Sequence, residues 1–241
     1  MRRRRALKWL AGAAVPLLDG NAIAAAGRCA VIPDETAGPF PANGTNGGRG
    51  TANVLTLSGV VRSDLRASIG GMSGRAEGVP LRVVLNLVDA TAGCTVLAGH
   101  AVYLWHCDRE GRYSLYSSGV TDQNYLRGVQ VSDAAGQVNF TTVFPGCYAG
   151  RMPHLHLEVY RSLAAATNSH NRLKISQIAF ARDVCDAVYA AAGYRASADN
   201  FAHINFASDG VFRDGTALQM ASVTGSAAAG YVASLNVGLG G

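Results

Sequence analysis

Short runs in which apolar and polar residues alternate recur along the chain, separated by clusters of Gly, Asp, Ser and Asn. A period of two marks a strand with one buried face. On that pattern Asn53–Val61, Pro80–Val88, His100–His106, Gln137–Val143, His154–Tyr160 and Ile175–Ala181 are predicted as strands. The segments Ser68–Gly78, Asp108–Gly111, Asp133–Gly136 and Pro145–Gly150 carry turn chemistry, and Asp133-Ala134-Ala135-Gly136 reads as a compact hairpin connection. One helix is predicted, Asp183–Ala192, with Val184, Val188 and Ala191 on one face. The stretch Ala217–Leu239 is rich in Ala, Gly and Ser, yet alternates enough to close the fold with a hairpin. No internal repeat or linker interrupts the pattern. The expected architecture is all-β: a β-sandwich core of antiparallel strands with long loops and one short helix, one domain over residues 27–241.

Composition supports a single core. At 49% hydrophobic and 15% charged, the 241 residues match neither a disordered tail nor a collagen-like repeat. The formal charge of +5 suggests a polyanion partner until it is located. Residues 1–26 hold Arg2, Arg3, Arg4, Arg5 and Lys8 against Asp19, a net +4, which leaves +1 for everything else. Nucleic acid is therefore not an expected partner. The arginine run precedes an apolar stretch from Trp9 to Leu18 and the small residues Ala24–Ala26, the order of a secretory signal peptide over residues 1–26. That apolar stretch, about ten residues, is well short of the ~20 that span a bilayer. Arg3-Arg4-Arg5-Ala6-Leu7-Lys8 resembles a twin-arginine export signal, with Ala6 where phenylalanine is usual. An ordinary secretory signal or an uncleaved anchor is the alternative. The expected destination is periplasmic or secreted, with no stable membrane anchor after cleavage.

Five cysteines in an oxidising compartment predict disulfides. Two bridges and one free thiol are expected: Cys147 with Cys185, and a second bridge among Cys29, Cys94 and Cys107. No CxxC pair is present, which disfavours a zinc ribbon.

His154-Leu155-His156 is the sharpest chemical signal. Residues two apart on a strand share a face, so both imidazoles can reach one metal ion. Pro145–Arg151 is a glycine-punctuated loop that delivers Tyr148 and Arg151 to the start of that strand. Trp105–Tyr113 ends another strand with a turn and supplies Tyr113. A phenolate prefers a hard, highly charged ion, so two tyrosines with two neutral imidazoles suit ferric iron better than zinc or Cu(I). The other candidates read as structural. His106 is expected to pack or hydrogen-bond, His100, His170 and His203 have no partner pattern, and Asp108 and Glu110 look like turn residues. Tyr103, Tyr116 and Tyr125 could line a cleft or pack; Tyr160 and Trp105 read as core.

These segments, taken together, resemble the intradiol ring-cleavage dioxygenases, the family of catechol and protocatechuate dioxygenases, and most of all its short exported branch. The resemblance runs from Cys29 to about Phe212. It includes Pro33-Asp34-Glu35-Thr36-Ala37-Gly38-Pro39-Phe40, the Trp105–Tyr113 segment, Leu126-Arg127-Gly128 with the Asp133–Phe140 turn, Tyr148–His156, and Ser176-Gln177-Ile178-Ala179-Phe180. It implies that Tyr113, Tyr148, His154 and His156 are ligands to Fe(III). It also implies that Arg151 is the active-site arginine, that Gln177 supports it, and that Thr36, Gly38 and Pro39 lie at the substrate opening. The implied reaction inserts both atoms of O2 into a catechol-type diol and gives a muconate-type dicarboxylate. Two departures stand out: Cys147 replaces the tryptophan usual in this branch, and the Tyr148–His154 interval is shorter than in the catechol enzymes. Nothing matches the helical dimerisation segment of catechol dioxygenases, so self-association stays open. The rival readings are a non-catalytic exported binding module and a zinc hydrolase built on the same His and Tyr ligands.

Overall fold

The computed structural model describes residues 29–45 and 52–240; the expected signal peptide lies outside them. Nine strands form two sheets. They are β1 (Pro80–Asp89), β2 (Thr95–Val96), β3 (Ala101–Trp105), β4 (Arg127–Val131), β5 (Gln137–Val143), β6 (His154–Tyr160), β7 (Arg172–Ala179), β8 (Ser222–Ser226) and β9 (Gly230–Leu239). One sheet runs β2-β1-β9-β8, with β5 also paired to β1; the other runs β4-β3-β6-β7. Pairing is antiparallel except between β1 and β9. Two short helices follow β7, α1 (Arg182–Tyr189) and α2 (Arg195–Phe201). Among the described residues, no helix is long and apolar enough to cross a membrane.

The all-β sandwich is as expected from the alternation, and the C-terminal hairpin forms as β8 and β9. Several details differ. Asn53–Val61 is not a strand: the Asn53 side chain accepts a hydrogen bond from the Leu55 N–H and caps a one-turn 3-10 helix over Val54–Thr56. β4 and α2 were not anticipated. β7 starts three residues before the expected Ile175, at Arg172, and ends at Ala179. Asp133–Gly136 is a tight turn, with the Asp133 carboxylate accepting from Ala135 and Gln137 N–H groups. It does not close a hairpin, because β4 and β5 belong to different sheets. The disulfide expectation holds for the bridge among Cys29, Cys94 and Cys107 and is corrected for Cys147–Cys185. The described bridge is Cys29–Cys94, while Cys107, Cys147 and Cys185 are buried free thiols.

Side-chain parity on the four-stranded sheet places the chemistry. Val102, Leu104, Leu155, Leu157, Val159 and Ile178 point toward the five-stranded sheet and fill the sandwich with Leu81, Val83, Leu85, Phe140 and Val237. Their neighbours one residue along, including Tyr103, Trp105, His156, Glu158 and Tyr160, emerge on the opposite face. Loops roof that face, so β6 is buried from end to end. The roof includes the 29–45 segment, which crosses from one sheet to the other. Ile32 N–H donates to Gly238 O on β9, Glu35 N–H to Ile175 O on β7, and Tyr103 Oη to Pro41 O.

Candidate metal centre

His154 and His156 lie at the start of β6, and two connections at the same end of the sheet bring in the tyrosines. The β3–β4 connection holds Tyr113; the β5–β6 connection holds Tyr148. The two loops pack together because Gly146 has no side chain. A Cβ there would stand 2.5 Å from Asp108 O and 2.6 Å from Gly111 N. The Asp108 carboxylate, accepting from the Glu110 and Arg112 N–H groups, shapes the partner turn as expected. His106 is structural, within hydrogen-bond reach of Thr142 Oγ1 and Cys107 O.

Four donor atoms converge. His154 Nε2 is 3.1 Å from His156 Nε2, 3.2 Å from Tyr148 Oη and 3.5 Å from Tyr113 Oη; Tyr113 Oη is 3.2 Å from His156 Nε2. Met152 O lies 2.6 Å from His154 Nδ1, which assigns the proton to Nδ1 and leaves the Nε2 lone pair facing the other donors. His156 stacks on Trp105 at 4.7 Å and 3° between planes, and its buried Nδ1 meets no hydrogen-bond partner among the described residues. Burial dominates the electrostatics. It pushes the His154 pKa down to about 3, with Arg151 adding to the effect, and takes His156 well below its ordinary value. It pushes Tyr148 up to about 12 and Tyr113 well above the usual phenol range. The imidazoles therefore offer free lone pairs, and forming two phenolates here requires a cation between them. Separations of 3.1–3.5 Å fit ligands sharing one ion at metal–donor bonds of about 2 Å. The set fits a hard trivalent ion.

Arg151 leaves the same loop and is gripped from two sides. Its Nη2 donates to Gln177 Oε1 at 2.6 Å, and its Nε donates to both Asp209 oxygens at 3.1 and 3.0 Å. Gln177 Nε2 in turn donates to Thr36 O at 2.9 Å. Burial alone would raise the Asp209 carboxyl. The N–H groups of Met152, Val211 and Phe212, together with Arg151, outweigh it and hold the pKa below the ordinary value. Gly38, at φ +64°, passes His156 so closely that a Cβ would lie 3.6 Å from its Cε1. Pro39 is exposed beside it.

A family model described as dioxygenase matches residues 64–206, more than half of the chain. The fold is also that of an intradiol ring-cleavage dioxygenase from Tetranychus urticae, with a TM-score of 0.67 at 24% identity over 88% of this chain and 95% of that one. The chain belongs to the intradiol ring-cleavage dioxygenases. Two more members of that fold are the dioxygenase domain of a carbohydrate-binding fusion from Streptomyces sp. SirexAA-E (TM-score 0.53, 19% identity, 88% of this chain and 99% of that) and a hydroxyquinol 1,2-dioxygenase from Pseudomonas putida DLL-E4 (0.52, 16%, 91% and 70%).

Within this intradiol dioxygenase, Tyr113, Tyr148, His154, His156, Arg151, Gln177, Thr36 and Gly38 are all gathered at one end of the outer sheet face. Three contributors escaped the sequence reading. Asp209 sits in Ser208-Asp209-Gly210, which carries only turn chemistry. Phe40, whose ring lies 5.2 Å from Tyr113 and 5.0 Å from Tyr116, falls in a segment already singled out but drew no role. Arg127 carries no local signal of its role. Fully buried, it donates to Ser114 Oγ and O, Phe40 O and Pro41 O, and so ties the roof to the Tyr113 loop.

Proposed function

We propose that this dioxygenase cleaves a catechol-type aromatic diol with O2, using Fe(III) held by Tyr113, Tyr148, His154 and His156, and that the product is a muconate-type dicarboxylate. The observation that carries the reading is the convergence of two imidazole nitrogens and two phenol oxygens within 3.1–3.5 Å. Two phenolates would cancel the charge of a zinc ion and blunt its action on water, whereas a trivalent ion keeps a net positive charge. When bound, ferric iron supplies Lewis acidity toward a chelating diol and an electron acceptor through which the ring becomes reactive to O2.

The protein's own groups divide the remaining work. His154 and His156 are strand-anchored and Tyr113 is 2% exposed, so these three are the fixed donors. Tyr148 is half-buried, followed by the exposed Ala149 and Gly150, and is the donor free to swing aside. Its Oη then holds a proton surrendered by the incoming diol, the state that burial favours. Arg151, with Nε and Nη2 already committed, keeps Nη1 for negative charge developing on the substrate. Trp105, Phe40 and Phe212 keep water from the donors.

Iron-loaded protein is expected to show a visible phenolate-to-metal charge-transfer band. It should also consume O2 with at least one of catechol, protocatechuate and hydroxyquinol, and zinc-loaded protein should do neither. A chain that binds iron yet stays colourless and consumes no O2 with any of them overturns the reading. We also propose export to the periplasm or beyond, supported by the arginine-led start and by the Cys29–Cys94 bridge. Replacing Arg3 and Arg4 by lysine should strand the protein in the cytoplasm, and an unchanged periplasmic yield refutes the twin-arginine route.

A further inference from the structure

We propose that Asp209 is a positioning residue for Arg151: its carboxylate locks the guanidinium in one orientation beside the metal ligands and offsets its charge there. The inference rests on the reading of Arg151 given above. It starts from burial. Asp209 has no solvent exposure, and the Arg151 side chain has 16%. A carboxylate so placed must find its partners within the protein.

The two oxygens of Asp209 share Arg151 Nε and differ in their other partners. Oδ1 accepts from Val211 N–H at 2.8 Å and Phe212 N–H at 3.1 Å, which fastens the carboxylate to its own turn, and also from Arg151 Nε at 3.1 Å. Oδ2 accepts from Met152 N–H at 2.6 Å and from Arg151 Nε at 3.0 Å. One atom thus fixes the backbone just after the arginine and the head of the same side chain. The turn reaches the metal ligands as well. Phe212 lies edge-on to His154 at 6.2 Å, and the Arg151 guanidinium sits 5.6 Å from its ring centre. Gln177 takes Nη2 from the far side, so rotation of the guanidinium would break hydrogen bonds on both flanks. A fixed donor needs no reorganisation when charge develops on the substrate. Charge matters equally. An arginine beside a trivalent ion repels it, and a carboxylate on the arginine removes most of that repulsion. Asp209 lies outside the residues matched by the family model, which end at 206.

A residue that merely capped its turn would need Oδ1 alone. Asp209→Asn keeps that oxygen and the shape of the side chain, and Asp209→Ser keeps a capping hydroxyl, so both preserve the turn. The test measures these variants in the full iron-loaded chain, alone and combined with Arg151→Ala. It also follows hydrogen exchange of the Arg151 Nε–H by NMR in the metal-free chain. Asp209→Asn should lower kcat by roughly tenfold to a hundredfold and move KM for the diol by less than about threefold. In the Arg151→Ala background the same change should alter kcat by less than about twofold, because the two residues act as one unit. Exchange of the Nε–H should speed up at least about tenfold in both Asp209 variants. Losses that multiply in the double variant overturn the proposal, as does a wild-type kcat in Asp209→Asn while Arg151→Ala is impaired. If Arg151→Ala keeps the wild-type rate, the role assigned to the arginine fails, and positioning for the reaction fails with it. In a chain that cleaves no diol, Nε–H exchange unchanged by Asp209→Asn overturns the proposal without reference to activity.

Discussion

The two faces of the β4-β3-β6-β7 sheet are made from the same strands and do opposite things. On β6, Leu155, Leu157 and Val159 enter the sandwich, while His154, His156, Glu158 and Tyr160 point out under the roof. On β3 and β6 the inner face is aliphatic and meets another sheet, with Gln130, Ser176 and Lys174 beside it on the flanking strands. The outer face holds imidazoles, a buried carboxylate and a fully buried arginine, each with a specific partner. Glu158 accepts from Asn43 Nδ2 and Tyr160 Oη, and Arg127 donates mainly to oxygens of the roof and the Tyr113 loop. Because strand parity separates them by a single residue, stability and chemistry are adjacent in sequence and nearly independent in space.

That independence can be broken by experiment. The largest effect expected is His156→Ala, which removes one of the proposed strand-anchored ligands. Bound iron and diol-dependent O2 uptake should fall by at least about 100-fold, while the melting temperature of the metal-free chain changes less than in the core variant that follows. Collapse of the metal-free fold would show that the faces are coupled. Leu157→Ala, one residue along, should cost about 2–5 kcal/mol in denaturant unfolding, because it opens a cavity in a fully buried site. Turnover per bound iron should stay within about twofold, since no ligand contact is lost. Tyr148→Phe should retain most of the iron, shift the visible band and slow the reaction roughly tenfold, as proton uptake at one oxygen is removed.

The smallest effect concerns His106, which follows β3 at the start of the connection that carries Tyr113. Burial holds its pKa at about 4, below the ordinary 6.5. Between those values the unfolded chain binds more protons than the folded one, so stability falls as pH drops from about 6.5 toward 4. His106→Gln should flatten that part of the pH–melting curve, and an unchanged slope would assign the acid sensitivity elsewhere.

Alternation explains why much of this was legible. A strand written His-Leu-His-Leu-Glu-Val-Tyr states both its core face and the face that gathers its histidines. The loops Pro145–Arg151 and Trp105–Tyr113 announced themselves through glycines beside reactive side chains. β4 is not legible because Arg127–Val131 holds only two apolar side chains, and the burial of its arginine depends on carbonyls from a segment some 86 residues away. Asn53–Val61 failed as a strand because a side chain offered its backbone a local partner. The Cys147–Cys185 bridge failed for a related reason, whereas the bridge expected among Cys29, Cys94 and Cys107 forms as Cys29–Cys94. Cys147 and Cys185 face the interior, and bridging depends on distances between loops that no spacing encodes. Asp209 could not be seen at all, since its partner precedes it by 58 residues and its own surroundings are ordinary turn sequence.

The roof has a kinetic meaning. Its hydrogen bonds join residues very far apart along the chain, 115 between Asn43 and Glu158 and 141 between Thr36 and Gln177. The strand pairs that carry the histidines form over much shorter separations, and closing a long loop before other contacts exist is entropically slow. The expected order of folding therefore has the four donors assembling on an open sheet, with the 29–45 segment closing over them afterwards. On the proposed reading, a metal ion would enter while the face is still bare, and its loss would require that closure to be undone.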